Sequence, residues 1–160
     1  MDGEIVLFDG TTGKLGKRAT GSGFVKSTSG VYSTEANPTT GLPFELVVAC
    51  SNLTTALTAV TAQMTFPWPR GVTLTSVHAF LVTPQTSGSI FTVDVNEGGV
   101  SILSTKITID NGESDSTTAV TPPVLSDTGL ASMASITVDI DQVGDGTAKG
   151  LYLVFVGVRT

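Results

Sequence analysis

The sequence predicts an all-β fold: a jelly-roll-like antiparallel β-sandwich preceded by an extended N-terminal arm. Thr and Ser supply 26 and 15 of the 160 residues, and these short uncharged side chains suit strands and turns better than helices. From Phe44 onward about eight short apolar or alternating runs follow one another, separated by turn residues, as in a sandwich or barrel. We therefore predict an arm at 1–35, a linker at 36–43 and a sandwich at 44–160.

The arm contains short apolar runs between frequent glycines. Such a segment buries too little apolar surface to offset the entropy of ordering itself alone. We expect it to order against the sandwich, sister chains or another protein; a flexible tail is the alternative. The linker contains two X-Pro steps, Asn37-Pro38 and Leu42-Pro43, which disfavour helix on both sides.

The strands of the sandwich follow from apolar runs and from alternation of apolar and polar residues. The last of them, 151–158, is apolar at successive positions and is expected to be buried on both faces. The run 96–99, with two glycines, predicts a hairpin turn. The one helical candidate is a short turn at 123–134. The predicted strands are 45–50, 55–66, 72–82, 90–95, 100–109, 117–120, 135–141 and 151–158.

Composition and charge argue against several classes of protein. The net charge of −6 disfavours a nucleic-acid scaffold, because phosphate binding needs a positive face. No apolar run approaches about 18 residues, so no membrane helix is predicted, and the acidic start is unlike a signal peptide. One Cys and one His exclude an intrachain disulfide and a Cys/His zinc site within one chain. We predict no cofactor and no metal.

Four segments of the sandwich resemble a β-domain common in virion surface proteins of tailed bacteriophages, where it occurs in tail-fibre and head-fibre proteins. The resemblance runs from about 72 to 159, more than half of the chain. Its segments are 92–110 (TVDVNEGGVSILSTKITID), 116–119 (STTA), 122–127 (PPVLSD) and 136–144 (ITVDIDQVG).

The N-terminal stretch 5–15 (IVLFDGTTGKL) is similar to a short motif of phage fibre shafts and attachment segments. Together the two resemblances imply a short fibre or spike subunit, usually homotrimeric. Such a subunit is made in the bacterial cytoplasm, joins the virion surface through capsid or tail proteins, and exposes a domain that binds host glycans weakly. The residues expected to anchor it are Ile5, Val6, Leu7, Phe8, Phe24 and Val25. The alternatives are a capsid decoration protein that cements capsomers and a small carbohydrate-active enzyme.

Candidate catalytic groups are few, and we expect no enzyme. A nucleophilic system would have to use His78, which lies in mid-strand and is expected to be a sheet-face or core residue. Cys50 ends an apolar run and is expected to be a buried small hydrophobe. Asp94, Asp139 and Asp141 could form a glycosidase pair, but we expect solvated carboxylates on a sheet face.

Two further groups of residues have an alternative interpretation. Asp110, Glu113 and Asp115 crowd one loop that could hold an ion, although no calcium-loop pattern is present. Trp68, held between two prolines, is a candidate receptor or interface residue because a rigid aromatic ring can stack on a sugar. The alternative places its ring as a lid on the core.

Overall fold

The computed structural model describes residues 40–160 and, before them, four strands. The chain divides into two units, Met1–Thr39 and Thr40–Thr160, and the break falls inside the predicted linker. The strands of the first unit are β1 (Val6–Asp9), β2 (Lys14–Arg18), β3 (Phe24–Thr28) and β4 (Val31–Glu35).

The four strands of the first unit form two separate antiparallel pairs. Strand β1 pairs with β2, with an irregularity between Val6 and Phe8, and β3 pairs with β4 in continuous register. Both pairs join consecutive strands, so the described backbone of this unit forms its hydrogen bonds locally, where the sequence predicted an extended arm.

The second unit consists of strands and their connections. Its strands are β5 (Pro43–Ala49), β6 (Val60–Pro67), β7 (Val72–Thr83), β8 (Phe91–Glu97), β9 (Val100–Ser101), β10 (Leu103–Thr105), β11 (Ile107–Ile109), β12 (Val124–Leu125), β13 (Gly129–Leu130), β14 (Ser135–Gln142) and β15 (Lys149–Arg159). The described residues contain no helix, and hence none that could span a membrane.

Two antiparallel sheets pack face to face around one core, which confirms the predicted β-sandwich. The first sheet has the order β11-β8-β14-β6, with β9 beside β8, and the second has the order β13-β7-β15-β5. Strands β10 and β12 form a small additional pair.

Strict alternation in the strands explains which side chains form the core. In β14, Ile136, Val138 and Ile140 point inward and are almost completely buried, while Thr137 and Asp139 point outward. The two sheets meet through aromatic rings of both, such as Phe66 of β6 and Phe155 of β15, whose centroids lie 6.3 Å apart. Burial of each large apolar side chain stabilises the fold by about 1.5–3 kcal/mol.

The last strand is not buried on both faces as predicted. Leu151, Leu153 and Phe155 lie in the core, but Tyr152 and Val154 are half-buried on the outer face. The reason is that the first sheet covers only one face of the second sheet. Apolar side chains on the other face of β15 therefore stay partly exposed.

Three other predicted elements need correction. The return strand at 100–109 is interrupted, because the buried Ile102 accepts hydrogen bonds from Ser126 and Asp127 through its carbonyl. Residues 117–120 form a turn. The segment 123–134 is not helical, because its backbone pairs with distant strands: it supplies β12, which pairs with β10, and β13, which pairs with β7.

The hairpin turn predicted at 96–99 is confirmed. Glu97 of β8 pairs with Val100 of β9, which leaves a two-residue loop of Gly98 and Gly99. Both have positive φ, +59° and +86°, the combination that tight hairpin loops require and that glycine adopts without strain.

Candidate functional site

The two ends of the sandwich hold different parts of the chain. Where the second unit begins, the Gly41 N–H donates to the carbonyl of Arg159 (2.7 Å), so the first and last residues of the unit lie together. At the opposite end four loops join the strands. We name them the distal loop cluster; they comprise residues 50–59, 84–90, 110–116 and 143–148.

One carboxylate joins two of these loops. Asp145 Oδ2 accepts hydrogen bonds from the Thr86 N–H (3.0 Å), the Thr86 hydroxyl (2.7 Å) and the Ser87 N–H (3.0 Å), and Oδ1 accepts from the Thr147 N–H (3.0 Å). These bonds, led by the one from the Thr147 hydroxyl, hold the pKa of Asp145 well below its usual range. The carboxylate therefore stays ionised and fixes the loops.

The buried side-chain amide of Gln85 joins a third loop, 110–116, to the first two. Gln85 is fully buried, and its Nε2 donates to the Ser89 carbonyl (2.7 Å) and to Asn111 Oδ1 (2.6 Å). Its Oε1 accepts from the Gly144 N–H (2.6 Å). Only glycine fits at position 144, because a Cβ there would collide with the Ser87 carbonyl oxygen and with the Gln85 amide.

The outer surface of the cluster is polar, and its charged side chains are the four carboxylates of Asp110, Glu113, Asp115 and Asp145. Asn52 Oδ1 accepts from the backbone N–H groups of Thr54 (3.0 Å) and Thr55 (2.7 Å), which shapes the first loop. Two apolar side chains, Leu53 and Ile90, are about half exposed among these groups. The exposed polar side chains are Asn52, Thr54, Thr55, Thr58, Thr86, Ser87, Ser89, Asn111, Asp145 and Thr147.

The carboxylates predicted on strands do come together, away from this cluster. Asp94 of β8 lies directly opposite Asp139 of β14 on the outer face of the first sheet, and Asp141 is two residues further along. The expectation of solvated groups is wrong for Asp94, which is only 5% exposed.

The Asp94 carboxylate is saturated with partners. Its Oδ1 accepts from the Ser101 hydroxyl (2.6 Å) and the Val95 N–H (2.8 Å), and its Oδ2 pairs with Lys106 Nζ (3.0 Å). Lys106 also pairs with Asp141 (2.6 Å). These contacts, the one to Asp141 first, raise the pKa of Lys106, so the ammonium stays charged between the two carboxylates.

The Asp139 carboxylate is engaged in the same way. Its Oδ1 accepts from the Ala62 N–H (2.6 Å) and its Oδ2 accepts from Asn96 Nδ2 (3.0 Å). Ala62 has φ +56°, a left-handed conformation that costs about 1–2 kcal/mol in a residue with a Cβ. Asp139 therefore holds a bulge of β6, and neither Asp94 nor Asp139 is arranged to attack or protonate a substrate.

The three carboxylates of the candidate ion loop accept hydrogen bonds from nearby residues. Asp110 accepts from the Val120 N–H (2.9 Å), Glu113 from the Thr118 hydroxyl, and Asp115 from the Thr117 N–H (2.8 Å). Within the described part of the chain no three His, Cys, Asp or Glu side chains are placed to hold a metal ion.

His78 lies on the outer face of β7, where it lines a groove of about 370 Å³ with Ser76 and Pro123. Its Nδ1 is buried and has no hydrogen-bond partner among the described residues. Asp115 interacts electrostatically with the imidazole, but in the described structure no hydrogen bond links the two. The imidazole is thus not oriented as a general base.

Cys50 and Trp68 both lie in the core. Burial raises the pKa of the Cys50 thiol to about 12, so it is a hydrophobe and not a nucleophile. The Trp68 ring is completely buried, with centroids 5.1 Å from Phe155 and 5.4 Å from Phe44. Its position is that of the core lid, and a buried ring cannot stack on a sugar.

The residues predicted to anchor the protein lie in the first unit. Ile5 is outside the described residues. Val6, Leu7 and Phe8 belong to β1, and Phe24 and Val25 to β3, so they divide between the two strand pairs.

Sequence reasoning missed the distal loop cluster, because the residues that build it are a loop Gln and turn residues that look ordinary one by one. One local pattern pointed to it: the Asp-x-Thr of 145–147, which forms a turn through its carboxylate.

Comparison with protein-family models, with curated proteins and with solved structures finds no match to this chain.

Proposed function

We propose that the protein is a non-enzymatic structural subunit of a tailed-phage virion, a short homotrimeric fibre or spike. Its first unit attaches to capsid or tail proteins, and the sandwich projects from the particle. The observation that carries this proposal is that the two ends of the sandwich differ. The second unit begins at one end, beside Arg159, and the distal loop cluster occupies the opposite end.

The strand order supports the jelly-roll interpretation. When the short β9 is left out and the other eight strands of the two sheets are numbered along the chain, the sheets have the orders 1-8-3-6 and 2-7-4-5. These orders support the proposal of a jelly roll, an architecture used by viral capsid and lectin domains. A fold is compatible with many functions, so the function has to be inferred from the site.

The engaged carboxylates favour a structural role over the carbohydrate-active enzyme. A glycosidase needs one carboxyl group free to protonate the leaving oxygen and a second free to attack the sugar or activate water. Asp94 and Asp139 instead use their oxygens to hold backbone and side-chain groups of the sheet.

The surface of the distal loop cluster suits a weakly bound host glycan. Its hydroxyl and amide groups donate and accept hydrogen bonds as sugar hydroxyls do, and Leu53 and Ile90 add apolar contact area. Because Asp145 and Gln85 hold the loops together, little loop entropy is lost on binding. Several copies on one particle multiply a weak affinity through avidity.

Deletion of residues 1–30 tests the attachment. We expect the shortened protein to keep the β-type circular dichroism and cooperative unfolding of the full chain, and to be missing from purified virions. Shortened protein on purified virions at the normal copy number would contradict attachment through the first unit. Labelling the full chain on particles by electron microscopy separates a fibre from a decoration protein, which would cover the capsid between capsomers.

Glycan binding by the distal loop cluster is tested by placing a positive charge at one end of the sandwich or at the other. Ile90→Lys adds a cation to the distal loop cluster, and Val100→Lys adds one to the hairpin at the other end, where Val100 is 72% exposed. We expect Ile90→Lys to slow adsorption of virions to host cells at least about tenfold, with Val100→Lys close to wild type. Equal adsorption of the two variants would contradict host binding by the distal loop cluster.

A further inference from the structure

Among the described strands, β5 is the edge of the second sheet and pairs on one side only, with β15. It pairs with β15 in register without interruption from Pro43, opposite Val158, to Ala49, opposite Tyr152. The corresponding edge of the first sheet, β6, is bent by the bulge at Ala62, a device that protects sheet edges from further pairing. The β5 edge lacks that protection.

Alternation identifies the backbone groups that β5 leaves free. The Cys50 N–H donates to the Leu151 carbonyl (2.8 Å), so Cys50 and, by the two-residue period, Val48 and Leu46 direct their main-chain groups toward β15. Glu45, Val47 and Ala49 therefore direct theirs away from the sheet. The residues described at 40–160 supply no hydrogen-bond partner for these groups, and the three side chains are exposed.

The free stretch has a natural centre at Val47. Pro43 has no N–H, so pairing beyond the edge ends before it, and Cys50 begins the loop to β6. Glu45 and Ala49 lie two residues to either side of Val47. A strand running antiparallel with the same sequence would place Val47 opposite its own counterpart and Glu45 opposite Ala49, which uses every free group of the stretch.

The side chains suit such self-pairing on both faces of the sheet. On the outer face Val47 is 62% exposed and lies beside the half-buried Val154. On the inner face Leu46 and Val48, both half-buried at this edge, would meet each other across the new pair. Apolar cross-strand pairs stabilise a sheet.

The one charge of the stretch does not oppose the pairing. Glu45 would face Ala49 of the second copy, and the two Glu45 carboxylates would lie four residues apart along the strands, about 14 Å at about 3.4 Å per residue. That separation exceeds the screening length of about 8 Å at physiological salt.

We infer that two copies of this chain pair antiparallel through β5 about a twofold axis at Val47, joining their second sheets into one continuous eight-stranded sheet. The inference does not depend on the proposed function. If the protein also forms trimers through another surface, β5 pairing links subunits in twos, and the assembly contains an even number of chains.

A cysteine at the axis tests the pairing directly. In a hydrogen-bonded antiparallel pair the Cα atoms lie about 5.5 Å apart, within the range of a disulfide. Val47→Cys should form a covalent dimer in mild oxidant. The native Cys50 adds no background because its thiol is buried, with a pKa raised to about 12. The matched control is Val100→Cys, which is similarly exposed (72% against 62%) but lies in the other sheet.

Light scattering on a second variant provides an independent measure. Val47→Lys places two ammonium groups against each other at the axis, and should halve the solution mass from an even multiple of 16.4 kDa while leaving circular dichroism unchanged. The inference is overturned if Val47→Cys links no better than Val100→Cys, or if Val47→Lys keeps the wild-type mass. Deletion of residues 1–30 tests the proposed function, and its outcome does not affect either of these results.

Discussion

Replacing Lys106 with methionine tests the structural role of the carboxylates on the first sheet. Lys106 is the cation paired with both Asp94 (3.0 Å) and Asp141 (2.6 Å). Methionine keeps most of the side-chain volume and removes the charge. Asp94 is then left buried without its counter-ion and directly opposite Asp139.

The size of the effect follows from the burial of the two partners. Breaking a fully buried ion pair costs about 3–5 kcal/mol. The side chain of Lys106 is 44% exposed, so water takes over part of its role, and we expect a loss of about 1–2 kcal/mol. For a unit of about 120 residues with an unfolding entropy of about 0.25 kcal/mol/K, this lowers Tm by about 4–8 °C.

Thermal and denaturant unfolding measures how much the Lys106–Asp94 pair contributes to stability. Four proteins are compared: wild type, Lys106→Met, Asp94→Asn and the double variant. The double variant should be more stable than Lys106→Met alone, because the uncompensated charge is gone. Lys149→Met, which removes a lysine that forms no ion pair within 40–160, is the control. A Tm for Lys106→Met equal to or above wild type would refute the assignment of a stabilising role to the network.

Alkaline pH should act through the same lysine. The pKa of Lys106 is raised in the folded protein, so its contribution is complete below the ordinary value of about 10.4 and is lost as the pH rises through the raised value. As the pH rises above about 10, wild type should therefore lose more stability than Lys106→Met. Paired unfolding curves would show this difference, and parallel curves would contradict it.

Three further predictions concern turns and loops. Gly99→Ala should lower the free energy of unfolding by about 1 kcal/mol, since φ of +86° strains a residue with a Cβ although nothing obstructs it. Met133→Gly should raise it by up to about 1 kcal/mol, because Met133 is exposed and has φ +63°; denaturant titration checks both. The lowered pKa of Asp145 gives the wild type a stabilising effect that is present above about pH 3.9 and is lost as the pH falls through the folded value. Asp145→Asn lacks this effect, so its Tm should fall less than that of the wild type between about pH 4 and pH 2.

Local patterns in the sequence were enough for the fold class and for much of the core. Alternation in 135–141 identified Ile136, Val138 and Ile140 as inward-facing, and the Gly pair of 96–99 identified the hairpin. The same local reasoning failed at 123–134, where pairing with distant strands replaced the expected helical turn, and at 151–158, where the pattern shows which residues are apolar but not which face the second sheet covers.

The candidate site depended almost entirely on long-range contacts. The carboxylate of Asp145 reaches Thr86 across 59 positions of sequence, and Asp139 reaches Ala62 across 77. No local pattern encodes such partners, since they are brought together by the order of strands in two sheets. For the same reason the sequence could nominate Asp94 as an acidic strand residue but not show that it is buried and paired.

What the sequence by itself determined is the chemistry available to each segment: strand-forming runs, turns where glycine is required, a single thiol and imidazole, and a chain with little charge. These follow from properties of neighbouring residues. Only the tertiary structure decided which groups are free to act: it buries Trp68, engages Asp139 and, within residues 40–160, leaves the outer backbone groups of β5 unpaired. Availability depends on what packs against a residue, and in an antiparallel sandwich the packing partners are mostly far away in the sequence.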